Sequence, residues 1–227
     1  MRHKRIILTM TLMILVLVSG MSFAAAVEPK KPAVDRVFDV EKEAKIKETA
    51  SLSTHKAFER LKGADFMVNE DLLNKAIYQS FRQRKGEAIS LSLNYLKSPV
   101  TVSRSDDFYV AKKVLQVFPD EAIGKLKKLY QAGDATTKGN VIRAVGNLAG
   151  GPDIQDLLIS ALEDKTVSGE EDPEVAGDPL RICDEAYNQL VLRYKVKNVL
   201  RTIGTGHRVE VRDYHIGILK DKLKDLL

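Results

Sequence analysis

The chain has 227 residues, of which 44% are hydrophobic and 30% charged, which is long enough for one domain with an apolar core. Its single cysteine excludes an internal disulfide, so the fold must rest on packing. The formal net charge is +5, but three of the 36 basic residues and none of the 31 acidic residues lie in the first 26 positions. Without that segment the charge is about +2, which lacks the basic excess that nucleic-acid binding requires. We therefore expect no nucleic-acid partner.

Residues 1–26 have the layout of a secretory signal peptide. Arg2, Lys4 and Arg5 form a basic start, a short apolar run follows, and small residues end the segment. We expect cleavage after Ala24 or Ala26 and export to a periplasm or to the extracellular space. The alternative is an uncleaved leader that attaches the protein to a membrane, although the apolar run is shorter than the ~20 residues of a spanning helix.

A linker and a helical cap are predicted after this leader. Residues 27–38 contain two prolines and two lysines and have no periodic apolar face, which predicts a linker. Residues 39–65 are rich in Lys, Glu and Ala, which predicts a helical cap region for the domain that follows. Its thin stripe at helical spacing consists of Leu52, His55, Phe58 and Leu61.

From Gly86 onward the sequence repeats itself at a spacing of 33 residues. A fixed period of about 30 to 45 residues is typical of solenoids, in which each helical pair buries its apolar face against its neighbours. We therefore predict a repeat domain over 66–227. The recurring positions include Ala111 with Ala144, Leu115 with Leu148, and Pro119-Asp120 with Pro152-Asp153.

The apolar periodicity of this domain predicts about four helical pairs and one final helix. Proline is expected at the start of two of the second helices, because the first turn does not need its missing N–H. In the third pair, Gly150-Gly151 is expected to end the first helix. The pairs are 70–84 with 87–97, 106–118 with 119–131, about 141–149 with 152–162, and 179–194 with 196–203, and the final helix is 213–227.

The third pair resembles a HEAT-type repeat. Residues 140–149, with the sequence NVIRAVGNLA, are similar to the first helix of that family, which shows an arginine, a small packed alanine and a following leucine. Residues 157–164, with the sequence LLISALED, are similar to the second helix, which ends in an acidic residue. By this resemblance Arg143 and Arg181 occupy the interhelical arginine position of the family, whereas the first two pairs lack that arginine.

The resemblance implies an all-α, right-handed α-solenoid of about four HEAT-like helical pairs, with an N-terminal capping helix and a C-terminal helix. Together with the predicted leader, the resemblance implies a non-catalytic, exported scaffold or adaptor that presents a face lined by the second helices to a protein partner. Polar positions on those second helices are then the candidate partner-binding residues: Ser90, Asn94, Lys125, Lys128, Gln155 and Ser160.

Two other segments could carry chemistry. The insertion at 165–178 contains several carboxylates that suit calcium, but it has no EF-hand spacing and is otherwise a solvated loop. His207, Asp213 and His215 lie close in sequence, and they define the alternative function, a metal-dependent or enzymatic protein. No nucleophile motif or phosphate-binding loop is present, so we expect no enzyme, cofactor or metal.

Cys183 lies on a helical apolar stripe and is expected in the core.

Overall fold

A computed structural model describes residues 33–168 and 177–226, and these residues are all-α, as predicted. In this part of the chain the one β-type pairing is an isolated antiparallel bridge between Val167 and Arg181. The predicted signal peptide at 1–26 and residues 169–176 of the acidic insertion lie outside the described residues. The helices are α1 (Ala33–Ser51), α2 (Thr54–Leu61), α3 (Ala64–Met67), α4 (Glu70–Phe81), α5 (Lys85–Tyr95), α6 (Ser105–Val117), α7 (Pro119–Ala132), α8 (Ala135–Val145), α9 (Pro152–Ala161), α10 (Ile182–Tyr194) and α11 (Val209–Leu226).

The chain divides into two units, residues 1–41 and 42–227. Of the first unit, the structure describes only the beginning of α1, which starts at Ala33, inside the stretch predicted as a linker. No proline or glycine follows Pro32 until the helix has ended, so nothing in the local sequence interrupts it. In the second unit, the rest of α1, together with α2 and the start of α3, occupies the predicted cap region.

The packing of consecutive helices is offset by one helix from the predicted pairs. α4 and α5 make few contacts with each other, whereas α5 packs extensively against α6, α7 against α8, and α9 against α10. Phe58 of α2 gives a reason for the offset at the first pair. Its fully buried ring lies 5.4 Å from the Phe81 ring of α4 and 5.6 Å from the Tyr95 ring of α5, so α2 supplies a surface for both helices.

The positions that recur at 33 residues take equivalent places in the structure. Ala111 of α6 and Ala144 of α8 are both fully buried. Pro119 and Pro152 both lie in the first turn of a helix, α7 and α9. Proline fits there because the first N–H groups of a helix have no intrahelical partner. These predicted core positions and helix starts are confirmed.

The predicted fourth pair contains only one helix. α10 ends at Tyr194, where Lys195 has a φ of 49° in the left-handed region, and residues 196–203 are not helical. Ile203 is nevertheless buried. Its N–H donates to Asn188 Oδ1 at 2.7 Å, and its carbonyl accepts from Asn188 Nδ2 at 2.9 Å. The prediction of a helix here is wrong, because a side chain of α10 satisfies this backbone without one.

Two helix boundaries also differ from the sequence prediction. α8 ends at Val145, so Gly150 does not terminate it. Gly150 instead has a φ of 147° in the following turn, a conformation that other residues rarely adopt. The last helix begins at Val209, four residues before the predicted start. Both differences lie at helix ends, where short-range signals are least decisive.

Candidate partner-binding surface

Helices α5, α7 and α9 contain all six candidate residues, and each of these helices contacts the next one in the series. Two ion pairs connect them: Lys85 of α5 with Glu121 of α7, and Lys127 of α7 with Asp153 of α9, the latter with an Nζ–Oδ1 distance of 2.5 Å. Exposed ion pairs contribute little stability, but they fix which side chains remain available at the surface. Lys127, which lies between Lys125 and Lys128 in the sequence, is therefore already paired with Asp153.

Five of the six candidate side chains are exposed: Ser90, Asn94, Lys125, Lys128 and Ser160. Lys125 and Lys128 form no ion pair with any described residue, and their three-residue spacing places them on the same side of α7. The exception is Gln155, which is partly buried. Its Oε1 accepts a hydrogen bond from the Tyr194 hydroxyl at 2.9 Å, so its side chain connects α9 with α10.

A second polar cluster was not among the candidates. On α6, Lys112 Nζ lies 5.8 Å from the ring centroid of Phe108 and 5.7 Å from that of Tyr109. Arg143 of α8 also places its Cζ 5.8 Å from the centroid of Phe108. The sequence FYVAKK at 108–113 contains a signal for this cluster, because aromatic and basic residues four apart meet on a helix. The contribution of Arg143 requires the fold.

The alternative site is not assembled by the fold. The Asp213 carboxylate accepts from Arg181 Nη2 at 2.7 Å and from Lys165 Nζ at 3.0 Å. His207 Nδ1 accepts from the Gly204 N–H at 3.1 Å, whereas His215 Nδ1 is buried without a hydrogen-bond partner. Across residues 33–168 and 177–226, no three His, Cys, Asp or Glu side chains are placed to hold a metal ion together.

Asp213 belongs to a buried network centred on Asp184, which is fully buried in α10. Asp184 accepts from the guanidinium of Arg181 at 2.9 and 3.1 Å and from Arg212 Nη1 at 2.8 Å. Burial alone would raise the pKa of Asp184, but the hydrogen bonds from Arg181 and Arg212 outweigh it and hold the pKa below its usual value. Arg212 is itself fully buried, and it donates further hydrogen bonds to the carbonyls of His207, Pro179 and Asp178.

Backbone hydrogen bonds next to this network hold the two ends of the acidic insertion together. The N–H of Ser168 donates to the Leu180 carbonyl at 2.8 Å, and the N–H of Ile182 donates to the Thr166 carbonyl at 2.9 Å. Cys183 follows directly and is 1% exposed, which confirms its expected place in the core. Burial raises the pKa of its thiol to about 11, so it is a poor nucleophile at neutral pH.

Stability should fall on acidification, and Asp213 should be one cause. The hydrogen bond from Arg181 lowers the pKa of Asp213 in the folded state below the ordinary value of an aspartate. Its ion pairs therefore stabilise the fold at pH values above about 4, and this stabilisation is lost as the pH falls through the lowered pKa. Urea unfolding midpoints between about pH 6 and pH 3 should drop less steeply for Asp213→Asn than for the unmodified chain.

The matched control is Asp221→Asn, which removes an exposed carboxylate that pairs with Lys224 on the same helix. The urea unfolding midpoint of this control should fall with decreasing pH as steeply as that of the unmodified chain. If the midpoint of Asp213→Asn falls with pH as steeply as that of the unmodified chain, the role assigned to Asp213 is contradicted.

Comparison with protein-family models, with curated proteins and with solved structures finds no match for this chain. Among the described helices, none is both long enough and apolar enough to cross a membrane.

Proposed function

We propose that this protein is an exported, non-catalytic scaffold or adaptor that binds a protein partner through the surface of α5, α7 and α9. The observation that carries the proposal is the exposure of polar side chains on three helices that contact in series. Lys125 and Lys128 are central to it, because their charges are not used by any ion pair within the described residues. Unpaired charges at such a surface steer a partner of opposite charge and fix its orientation.

A right-handed, HEAT-like solenoid of about four helical pairs is the architecture that we propose for this surface. The contacts in series of α5, α7 and α9 support it, as do those between α4 and α6 and between α8 and α10. In a solenoid each unit packs only on its neighbours, which leaves a continuous face for one extended partner. The predicted fourth pair departs from the pattern, because it contains only α10, and terminal units of repeat proteins are commonly atypical.

Export is the second part of the proposal, and it rests on the sequence of residues 1–26. Cleavage would give a mature protein whose first residue is near Ala25 or Val27. An uncleaved leader would instead hold the scaffold at a membrane. The N-terminal sequence of the protein recovered in the experiment below distinguishes these outcomes.

A photo-crosslinking residue placed at Asn94 should capture one protein reproducibly in the native cell envelope. Capture should be lost when Lys125 and Lys128 are both changed to glutamate, because a partner that complements these charges is then repelled. The captured protein would be identified by mass spectrometry. The same residue placed at Lys56, which is exposed on α2, should not capture this protein.

The charge control is the double variant Lys42→Glu and Lys47→Glu, which makes the same change at two exposed positions of α1. Capture should survive in this control. Capture from Asn94 that persists in the Lys125→Glu, Lys128→Glu variant would show that these lysines do not bind the partner. Absence of any specific capture would count against the scaffold itself.

We do not propose the enzymatic alternative. The Asp213 carboxylate is bonded to two cations, and His207 and Asp213 each have partners within the fold. No observation on the described residues favours a reaction at this position.

A further inference from the structure

Lys112 and Arg143 form a pair of incompletely neutralised cations on one aromatic ring. Lys112 Nζ and Arg143 Cζ each lie 5.8 Å from the ring centroid of Phe108, and both side chains are partly exposed. The ring face attracts a cation, but this attraction is weaker than an ion pair with a carboxylate. Two like charges on one ring also repel each other.

Lys112 has no carboxylate partner among the described residues. The neighbouring Lys113 differs, because its Nζ pairs with Glu70 of α4. Burial lowers the pKa of Lys112, and the positive charges of Lys113 and Arg143 lower it further, although Glu70 opposes them. A lysine that is partly desolvated beside other cations is destabilised in its charged form, and such groups are frequent at binding sites.

Arg143 is also incompletely satisfied. Its Nη2 donates to Asn140 Oδ1 at 2.8 Å, but its Nε is buried without a hydrogen-bond partner. Glu185 Oε1 lies 3.7 Å from this Nε, close enough for an ion pair but too far for a hydrogen bond. Burial raises the pKa of Glu185, which favours its neutral form relative to an exposed glutamate. The hydrogen bond to Asn140 and this ion pair with a glutamate whose neutral form is favoured leave the guanidinium only partly neutralised.

We propose that Lys112 and Arg143 form a binding site for a carboxylate of an acidic peptide segment in a partner protein. The carboxylate would accept hydrogen bonds from both cations, and the partly exposed rings of Phe108 and Tyr109 would contact the methylene groups of the peptide. The site is small, because Glu70 already neutralises Lys113. A single acidic side chain thus fits it better than the closely spaced phosphates of a nucleic acid.

This site goes beyond the function proposed above, because it lies on α6 and α8 and not on α5, α7 and α9. The two proposals can fail separately. Loss of capture in the Lys125→Glu, Lys128→Glu variant concerns the first surface, and a defect in Lys112 variants concerns the second.

A fluorescein-labelled hexaglutamate peptide is the probe for this site, with binding measured by fluorescence anisotropy at low ionic strength. We expect the unmodified chain to bind it and Lys112→Gln to bind it about tenfold more weakly. The matched control is Lys56→Gln, which removes one exposed positive charge on α2 and should leave the affinity unchanged. Hexaglutamine, which has the same length and no charge, should not bind.

The proposal is wrong if hexaglutamate does not bind to the unmodified chain. It is also wrong if Lys112→Gln and Lys56→Gln bind hexaglutamate with the same affinity. Inorganic phosphate that displaces the peptide far better than acetate does at equal ionic strength would also overturn it, because the site would then prefer phosphate.

Two further measurements distinguish a role of Lys112 in binding from a role in stabilising the fold. Removing an uncompensated cation should leave the thermal unfolding temperature of Lys112→Gln unchanged or higher, whereas loss of a stabilising contact would lower it. In the unmodified chain, the NMR resonance of the Arg143 Nε–H group should shift on addition of hexaglutamate. A resonance that does not move would overturn the proposal whatever the variant shows.

Discussion

Changing Asp184 to asparagine will lower the free energy of unfolding by about 3–5 kcal/mol, since removing one member of a buried ion pair leaves the other charge uncompensated. Asp184 and Arg212 are both fully buried, and Arg181 is nearly so. Asparagine has almost the same size as aspartate, so the loss would come from charge and hydrogen bonding and not from a cavity. Urea unfolding at neutral pH measures the difference.

Asp221→Asn is the control for the loss of a negative charge at an exposed position, and it should change stability by less than about 0.5 kcal/mol. Should Asp184→Asn fail to fold, the double variant Asp184→Leu with Arg212→Met should recover a folded chain, because it removes two opposite buried charges together. A loss below about 1 kcal/mol in Asp184→Asn would contradict the role assigned to this network.

Changing Gly139 to alanine will destabilise the chain by about 1–3 kcal/mol, although alanine is the better helix former. Gly139 lies buried in the middle of α8. A Cβ atom at this position would lie 2.8 Å from Ser168 Cβ and 3.0 Å from the Ser168 carbonyl oxygen. Ser168 cannot move away freely, because its N–H and its hydroxyl both bond the Leu180 carbonyl. Thermal or urea unfolding gives the sign.

Gly124 provides the matched control for this prediction. It is exposed within α7, and a Cβ atom added there would meet nothing within 4 Å. Gly124→Ala should therefore stabilise the chain by about 0.5–1 kcal/mol, through helix propensity alone. If both variants shift stability in the same direction, the contact between α8 and Ser168 is not what requires glycine at position 139.

Local signals explain what the sequence predicts correctly. Proline at the start of α7 and α9 and the fully buried alanines of α6 and α8 follow from rules that involve only a few neighbouring residues. The candidate residues Lys125 and Lys128 are exposed for the same reason, because they lie away from the apolar side of one helix.

Contacts between distant residues explain what the sequence does not predict. Residues 196–203 have apolar side chains at helical spacing, but the side chains of Tyr187 and Asn188 bond the carbonyls of Leu200 and Ile203 and hold the segment without a helix. Likewise, Arg212 and Asp184 are 28 positions apart, and no spacing rule brings them together. Both results depend on how α10 packs against the following segments.

Because of the antiparallel bridge between Val167 and Arg181, the packing of the helices on either side of the acidic insertion does not depend on the length of that insertion. The backbone hydrogen bonds that close this loop join Thr166 and Ser168 to Ile182 and Leu180, outside residues 169–176. Because these bonds already join the ends of the insertion, doubling the number of residues between them would cost only about 0.6 kcal/mol of closure entropy. Relatives of this chain could therefore differ widely in the size of this loop, and α9 and α10 would still meet at the same register.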